Sequence, residues 1–195
     1  MIVKCLGIES ISELVDLHVK TMPNNFTSLC GRSMLESLYI GQLRGDSGFV
    51  LGSYRGEELI GFASFVTDLG RYSSEINKAS LLAKVIFSKR LFMPRFLFGL
   101  IRAFYERFII KYEPVFEYYL LTSLASTAPG LGAMMIQTGI NELEKRNLAN
   151  KDLLIECDLK NYRALGLYVR SGFNILYIKH ILGRSKVCLV RSKNA

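Results

Sequence analysis

The residues able to do chemistry gather in the C-terminal half of the chain. The apolar run Leu121-Thr122-Ser123-Leu124-Ala125-Ser126 passes through Thr127-Ala128-Pro129 into Gly130-Leu131-Gly132-Ala133, which opens a helical pattern. Glycines where a strand turns into a helix let backbone N–H groups close on an anion, and the helix N-terminus adds favourable partial charge. The same pair of glycines also suits an ordinary tight turn. Downstream, the strand-like Leu153–Asp158 is followed by Asn161-Tyr162-Arg163-Ala164-Leu165-Gly166-Leu167-Tyr168-Val169-Arg170-Ser171-Gly172-Phe173. Tyr168 falls on one side of this helix, as a core aromatic or as a hydroxyl aimed at a reactant. Side chains able to accept a proton are Glu117, Glu156, His18 and His180. Each has a plainer role open to it, as a solvated or paired carboxylate or as a structural histidine.

Other chemistries are disfavoured. Cys5, Cys30, Cys157 and Cys188 stand apart, without a C-x-x-C pair, and only two histidines exist. No metal site is expected from such spacing, and the thiols read as reduced. The N-terminus lacks a basic start followed by an apolar run and a small-residue cleavage site, so no secretory signal is expected. The stretch from Leu91 to Ile110 carries Arg95, Arg102, Glu106 and Arg107, too many charges for a spanning helix. A cytoplasmic location, with or without peripheral contact with a membrane, is expected.

The chain is half hydrophobic and carries a net charge of +8 over 195 residues, which suits one folded domain, 1–195. The stretch 78–111 supplies seven of those eight charges, through Lys78, Lys84, Lys89, Arg90, Arg95, Arg102, Arg107 and Lys111 against Glu106 alone. Phe and Leu are interleaved with them, and Pro94 divides the stretch into two helical patterns. Residues 77–111 therefore read as a basic amphipathic helical insertion. Its apolar stripe packs on the domain, or the pair lies on an anionic membrane surface. Nucleic acid is the weakest fit, since no recognised binding motif accompanies the charge.

The elements that must position the chemistry follow from periodicity. Strands are expected at Met1–Cys5, Gly48–Tyr54, Leu59–Val66, Phe116–Ala125, Asp152–Asp158, Phe173–Ile181 and Lys186–Val190. Helices are expected at Ile8–Lys20, Ser33–Leu43, Gly130–Arg146 and Asn161–Arg170, with a loop over Thr21–Leu29. This order sets helices on both faces of a mixed sheet, a three-layer α/β domain.

The segment from Asn161 to Phe173 resembles the GNAT (GCN5-related N-acetyltransferase) superfamily, whose members end with a strand, then N-x-x-A-x-x-L-Y-x-x-x-G-F, then a strand. Every one of those positions matches. The resemblance covers the order of elements along the whole chain and, at motif level, mainly Phe116 to Phe173. It implies a GNAT-like α/β/α fold with a central mixed, mostly antiparallel sheet, the basic insertion lying between the third and fourth strands. It also implies an N-acyltransferase that uses acetyl-CoA or another acyl-CoA and no metal. By the same resemblance, the backbone of Leu124, Ala125 and Ser126 would bond the pantetheine arm and the thioester carbonyl. Amides at Gly130, Leu131, Gly132 and Ala133 would hold the pyrophosphate. Asn161 would bond the cofactor, Ala164 would leave it room, and Tyr168 would meet its sulfur as the acid that protonates the departing thiolate. Glu117 is the carboxylate taken as catalytic base.

One departure is plain. The family usually has Q/R-x-x-G-x-G/A at the pyrophosphate loop, and here Thr127 stands at the Arg/Gln position in a loop about four residues shorter. The first two helices and the loop Met22–Phe26 would wall the acceptor cleft, with Asn24 and Phe26 as substrate contacts. The basic insertion points to an acceptor such as an amino sugar of surface-polysaccharide or lipid-linked metabolism. The competing function is a non-catalytic GNAT-like module that docks on an anionic membrane or acidic partner through residues 78–111. A homodimer is compatible with either.

Overall fold

The computed structural model describes residues 1–45, 47–75, 94, 96–101, 117–148 and 150–193. The expected insertion falls almost wholly outside the described residues, as does the start of the expected fourth strand at Phe116. Among the described residues no helix is long and apolar enough to cross a membrane.

A seven-stranded sheet runs in the order β1-β2-β3-β4-β5-β7-β6, from β1 (Ile2–Cys5), β2 (Gly48–Arg55), β3 (Glu58–Val66), β4 (Tyr119–Ser126), β5 (Leu153–Asp158), β6 (Asn174–Ile181) and β7 (Arg184–Arg191). All neighbours are antiparallel except β4 and β5. A parallel pair needs a crossover, and the helix α5 (Leu131–Lys145) supplies it. β2 and β3 are apolar on both faces because helices cover both sides of them.

One face is covered by α1 (Ile11–Thr21) and α3 (Arg32–Arg44), which turn Leu14, Val15, Leu17 and His18, and Leu35, Tyr39, Gln42 and Leu43, into the interior. On the opposite face α5 buries Leu131, Met135, Ile136, Gly139 and Leu143, the spacing of one helical stripe. Phe65 of β3 points toward α5 and stacks on Phe49 at 4.8 Å. Phe62 points the other way, toward α1 and α3, where it meets Tyr39 edge-on at 6.1 Å.

Two short helices were not expected. α2 (Phe26–Cys30) occupies the expected loop Thr21–Leu29. α4 (Leu69–Glu75) follows β3, its first turn capped by Asp68, whose Oδ1 accepts from the Arg71 N–H at 2.9 Å. Both are too short to show a periodic stripe. Helix α6 (Tyr162–Arg170) matches its expected position.

Candidate functional site

The site is built around β4, which loses one partner partway along its length. β4 and β5 pair only at Tyr119 with Leu153, Leu120 with Leu154 and Leu121 with Ile155. Beyond that point β4 stays on β3 as far as Ser126, and β5 stays on β7 as far as Asp158. The strands therefore part after Leu121 and Ile155, and a wedge opens with backbone groups of β4 on its wall. Leu124, Ala125 and Ser126 all lie on this unpaired stretch.

At its mouth the chain turns through Gly130, left-handed at φ +78°, into α5. The N-cap is this glycine, and among the described residues no side-chain cap bond is made to the helix. The N–H groups of Leu131, Gly132 and Ala133 thus open the helix without a side-chain acceptor among the described residues, the arrangement an anion uses. Thr127, in the turn that leads to Gly130, bends back on the sheet, its hydroxyl donating to the Ile60 carbonyl at 3.1 Å. Gly132 also has a packing role. A Cβ there would stand 2.7 Å from Leu167 Cδ2, so the glycine lets α5 approach α6.

Across the wedge, α6 begins at Asn161, whose Oδ1 accepts from the Ala164 N–H at 3.2 Å. Asn161 is thereby the N-cap that sets this helix, with its carbonyl oxygen directed at the chain's own backbone. Ala164 is half-buried against the core. Tyr168 is buried and packs edge-on against Phe173 at 5.9 Å. Burial pushes its hydroxyl well above the ordinary tyrosine range, with a further push from nearby Cys157. Tyr168 thus keeps its proton throughout the neutral range. Burial likewise pushes the Cys157 and Cys188 thiols up to about 11. Neither is poised as a nucleophile, since the thiolate is the reactive form.

The opposite face of the unpaired stretch carries a second feature. Ser64 pairs with Ser123 while Phe65 pairs with Leu121, which leaves Thr122 as an extra residue on β4. This bulge sets Thr122 and Ser123 together on the wall of a recess completed by His18, Thr27, Leu35, Leu38, Tyr39, Gln42, Ser64 and Tyr72. The recess measures about 130 Å³, and among the described residues that line it none is Asp, Glu, Lys or Arg. Ser64 is fully buried. Its hydroxyl donates to Gln42 Oε1 at 2.6 Å and meets Thr122 Oγ1 at 2.9 Å, while Thr122 also donates to the Ser64 carbonyl at 3.2 Å.

His18 is 2% exposed, stacks on Phe62 at 5.7 Å, and meets Tyr39 Oη through Nδ1 at 2.7 Å and Thr27 Oγ1 through Nε2 at 3.4 Å. Burial lowers its pKa to about 4, so the ring is neutral at physiological pH. Burial also raises the Tyr39 hydroxyl far above its ordinary range and the Tyr72 hydroxyl to about 12.

Several expected contacts lie elsewhere. Glu117 is not on the fourth strand. It precedes β4, exposed, at the end where β4 and β5 are still paired, and so stands away from the wedge. Glu156 lies on β5 but pairs with Lys179, with Lys186 at 3.5 Å and with the Cys188 thiol at 3.5 Å. His180 sits on β6, exposed, bonded to Ser185 Oγ at 2.8 Å. Asn24 is exposed on the turn before α2 and does not line the recess, which takes Thr27 instead. Phe26 opens α2, and its side chain lies outside the described residues. The residues that sequence reasoning missed are Tyr39, Gln42, Ser64, Tyr72, Thr122 and Ser123. The available signal was polar side chains on otherwise apolar faces of α3, β3 and β4.

No protein-family model matches the sequence, and no curated protein is similar to it in sequence. Solved structures are similar in fold. An N-acetyltransferase from Staphylococcus aureus Mu50 superposes with a TM-score of 0.59 at 13% identity, over 97% of this chain and 100% of that one. The ribosomal-protein-S18-alanine N-acetyltransferase of Escherichia coli gives 0.62 at 14% identity, over 97% and 92%. An acetyltransferase of the GNAT family from Streptococcus pneumoniae gives 0.61 at 14% identity, over 97% of each chain. These superpositions, each over nearly the whole chain, show that this chain has the fold of the GNAT acetyltransferases.

Proposed function

We propose that the chain is an acyl-CoA-dependent N-acyltransferase that moves an acetyl group from acetyl-CoA to a small-molecule amine by direct attack. The observation that carries this reading is the parting of β4 from β5 after Leu121 and Ile155, beside the uncapped start of α5. A thioester arm laid along the wedge would find unpaired backbone groups at Leu124, Ala125 and Ser126. Its pyrophosphate would find the amides of Gly130 to Ala133. Oxyanion character that develops on the carbonyl is stabilised by a fixed N–H, and Tyr168 is the protonated hydroxyl available to the leaving sulfur. The raised Cys157 and Cys188 thiols favour direct transfer over an acyl-cysteine intermediate.

The recess beneath the β4 bulge is the acceptor's side of the reaction. Its hydroxyls and amide, without a charged residue, suit a neutral, hydroxyl-rich body, as in an amino sugar. Calorimetric titration with acetyl-CoA, CoA and longer acyl-CoAs tests the donor half, followed by turnover with amines starting from amino sugars. Binding in the micromolar range and release of CoA support the reading; absence of binding to every acyl-CoA refutes it.

The concentration of charge in residues 78–111 favours a second reading, a module that docks on anionic lipid. Vesicle co-sedimentation should then be salt-sensitive and lost when Lys89, Arg90, Arg95 and Arg102 are neutralised. Unchanged sedimentation of that variant overturns it.

A further inference from the structure

Acyl transfer to an amine must take a proton from the nitrogen, and among the described residues no carboxylate lines the acceptor recess. The bond from nitrogen to the acyl carbon forms, the carbon–sulfur bond breaks, and the sulfur takes a proton from Tyr168, which recovers one from solvent, so that the sulfur ends as a thiol. The nitrogen therefore sheds one proton for each amide made. A charged base buried in this recess would itself be costly, since none of the described residues lining it carries an opposite charge.

The recess holds another route. Ser123, the second residue past the last β4–β5 pair, lines the recess together with Tyr39, and its side chain bears on the Tyr39 hydroxyl. Tyr39 Oη stands 2.7 Å from His18 Nδ1, and His18 Nε2 stands 3.4 Å from Thr27 Oγ1. Thr27 is half-buried, at the margin of the recess, whereas His18 and Tyr39 are buried. The four side chains come from four elements, β4, α3, α1 and α2, and together run from the unpaired part of β4 toward solvent.

We propose that Ser123, Tyr39, His18 and Thr27 form a neutral proton wire that carries the acceptor's proton out of the recess. Each group donates to the next. Ser123 Oγ takes the amine proton and gives its own to Tyr39 Oη, which gives its own to His18 Nδ1. The imidazole releases its Nε2 proton to Thr27 Oγ1, and Thr27 passes one proton to water. Every oxygen ends as a hydroxyl and the imidazole ends as its other tautomer, so no charge is left inside. One proton has left the nitrogen and one has entered solvent.

The environment enforces this neutral character. His18 meets Tyr39 from α3, Thr27 from α2 and Phe62 from β3, and Tyr72 from α4 lines the same recess. None of these is an acid that would hold an imidazolium. The depressed pKa of His18 agrees, since the ring is a poor place to store a proton and is suited to passing one. Only Ser123 would touch the substrate. Tyr39, His18 and Thr27 act through it.

This inference rests on the acyl-transfer reading, and the experiment separates the two. Turnover with acetyl-CoA and an accepted amine is measured in mixtures of light and heavy water for the parent protein, His18→Asn and Thr27→Val. The parent should show a curved dependence on the deuterium fraction, the sign of several protons moving together. His18→Asn keeps a partner for Tyr39 but cannot relay, and should lower kcat 10- to 100-fold with acetyl-CoA affinity unchanged and the dependence made linear. A His18→Asn protein that turns over within twofold of the parent overturns the wire and leaves acyl transfer standing. Thr27→Val covers a folding failure at His18. It sits at the margin, and it too should make the dependence linear; a curve unchanged in it overturns the wire. A parent that binds acetyl-CoA yet acylates no amine removes acyl transfer and the wire together.

Discussion

Gly139 of α5 lies flat against the ring of Phe65: a Cβ on it would stand 2.0 Å from Phe65 Cζ and 2.6 Å from Cε2. The crossover helix is thereby seated on the sheet at its middle, and its first turn is held at the mouth of the wedge. Gly139→Ala gains about 1 kcal/mol of helix propensity but overlaps a ring that is itself fully buried and stacked on Phe49. Overpacking of that kind costs about 1–3 kcal/mol, so a net loss is expected as a lower denaturant midpoint at unchanged slope. Adding Phe65→Leu should restore part of the loss, because the two changes meet at one contact. A Gly139→Ala protein as stable as the parent would mean that the helix does not sit this close.

His18 makes stability depend on pH. The unfolded chain takes up a proton on this ring near pH 6.5, and the folded chain only near pH 4. Between those values the unfolded state binds more protons, so stability rises with pH there, and it falls as the solution is acidified from 6.5 toward 4. The loss amounts to at most about 3 kcal/mol. Urea unfolding at pH 7, 6, 5 and 4.5 should show it, and His18→Gln, which has no proton to take up, should flatten that part of the profile. An equal slope in both proteins would assign the acid sensitivity to other groups.

Ser64 ties three elements into one network, through Gln42 of α3 and Thr122 of β4. Ser64→Ala leaves the Gln42 oxygen without that donor and frees the Thr122 side chain at the bulge. A cost of about 1–3 kcal/mol is expected from the buried acceptor. Because Thr122 lines the recess, the acceptor's KM should rise more than that of acetyl-CoA. Equal effects on both would place the network outside acceptor recognition.

Local pattern made much of this legible. Leu131, Met135, Ile136, Gly139 and Leu143 repeat at helical spacing, and β2 and β3 read as continuous apolar runs. Tyr168 and Asn161 stood out because fixed residue types fell in register over one helix. Other features depend on which strand neighbours which, and no local pattern reports that. The parting of β4 and β5 is a fact of pairing. So is the bulge at Thr122, which a run of apolar and hydroxyl residues does not announce. Glu117 falls off the strand for the opposite reason, since the β-rich run around it extends past the first residue that pairs. Gly132 was legible as a glycine near a helix start, but its contact with Leu167 belongs to tertiary packing. His18 and Tyr39 lie 21 residues apart on two helices, and only the fold brings them together.

Tyr168 offers the most direct test of chemistry. Its ring is held by Phe173 and the core, and these contacts survive Tyr168→Phe, which removes only the hydroxyl. The parent hydroxyl is protonated at every pH at which the protein would be assayed, as an acid must be. If it protonates the departing sulfur, Tyr168→Phe should lower kcat by about 100-fold or more, the range usual for a positioned acid, while the Kd for acetyl-CoA stays within about twofold. The two quantities must be measured apart, by single turnover and by calorimetry, because a packing defect would weaken binding as well. If kcat is unchanged, Tyr168 is a core residue of α6 and the sulfur takes its proton from water. If kcat and affinity fall together, the ring holds the thioester arm and the hydroxyl is incidental.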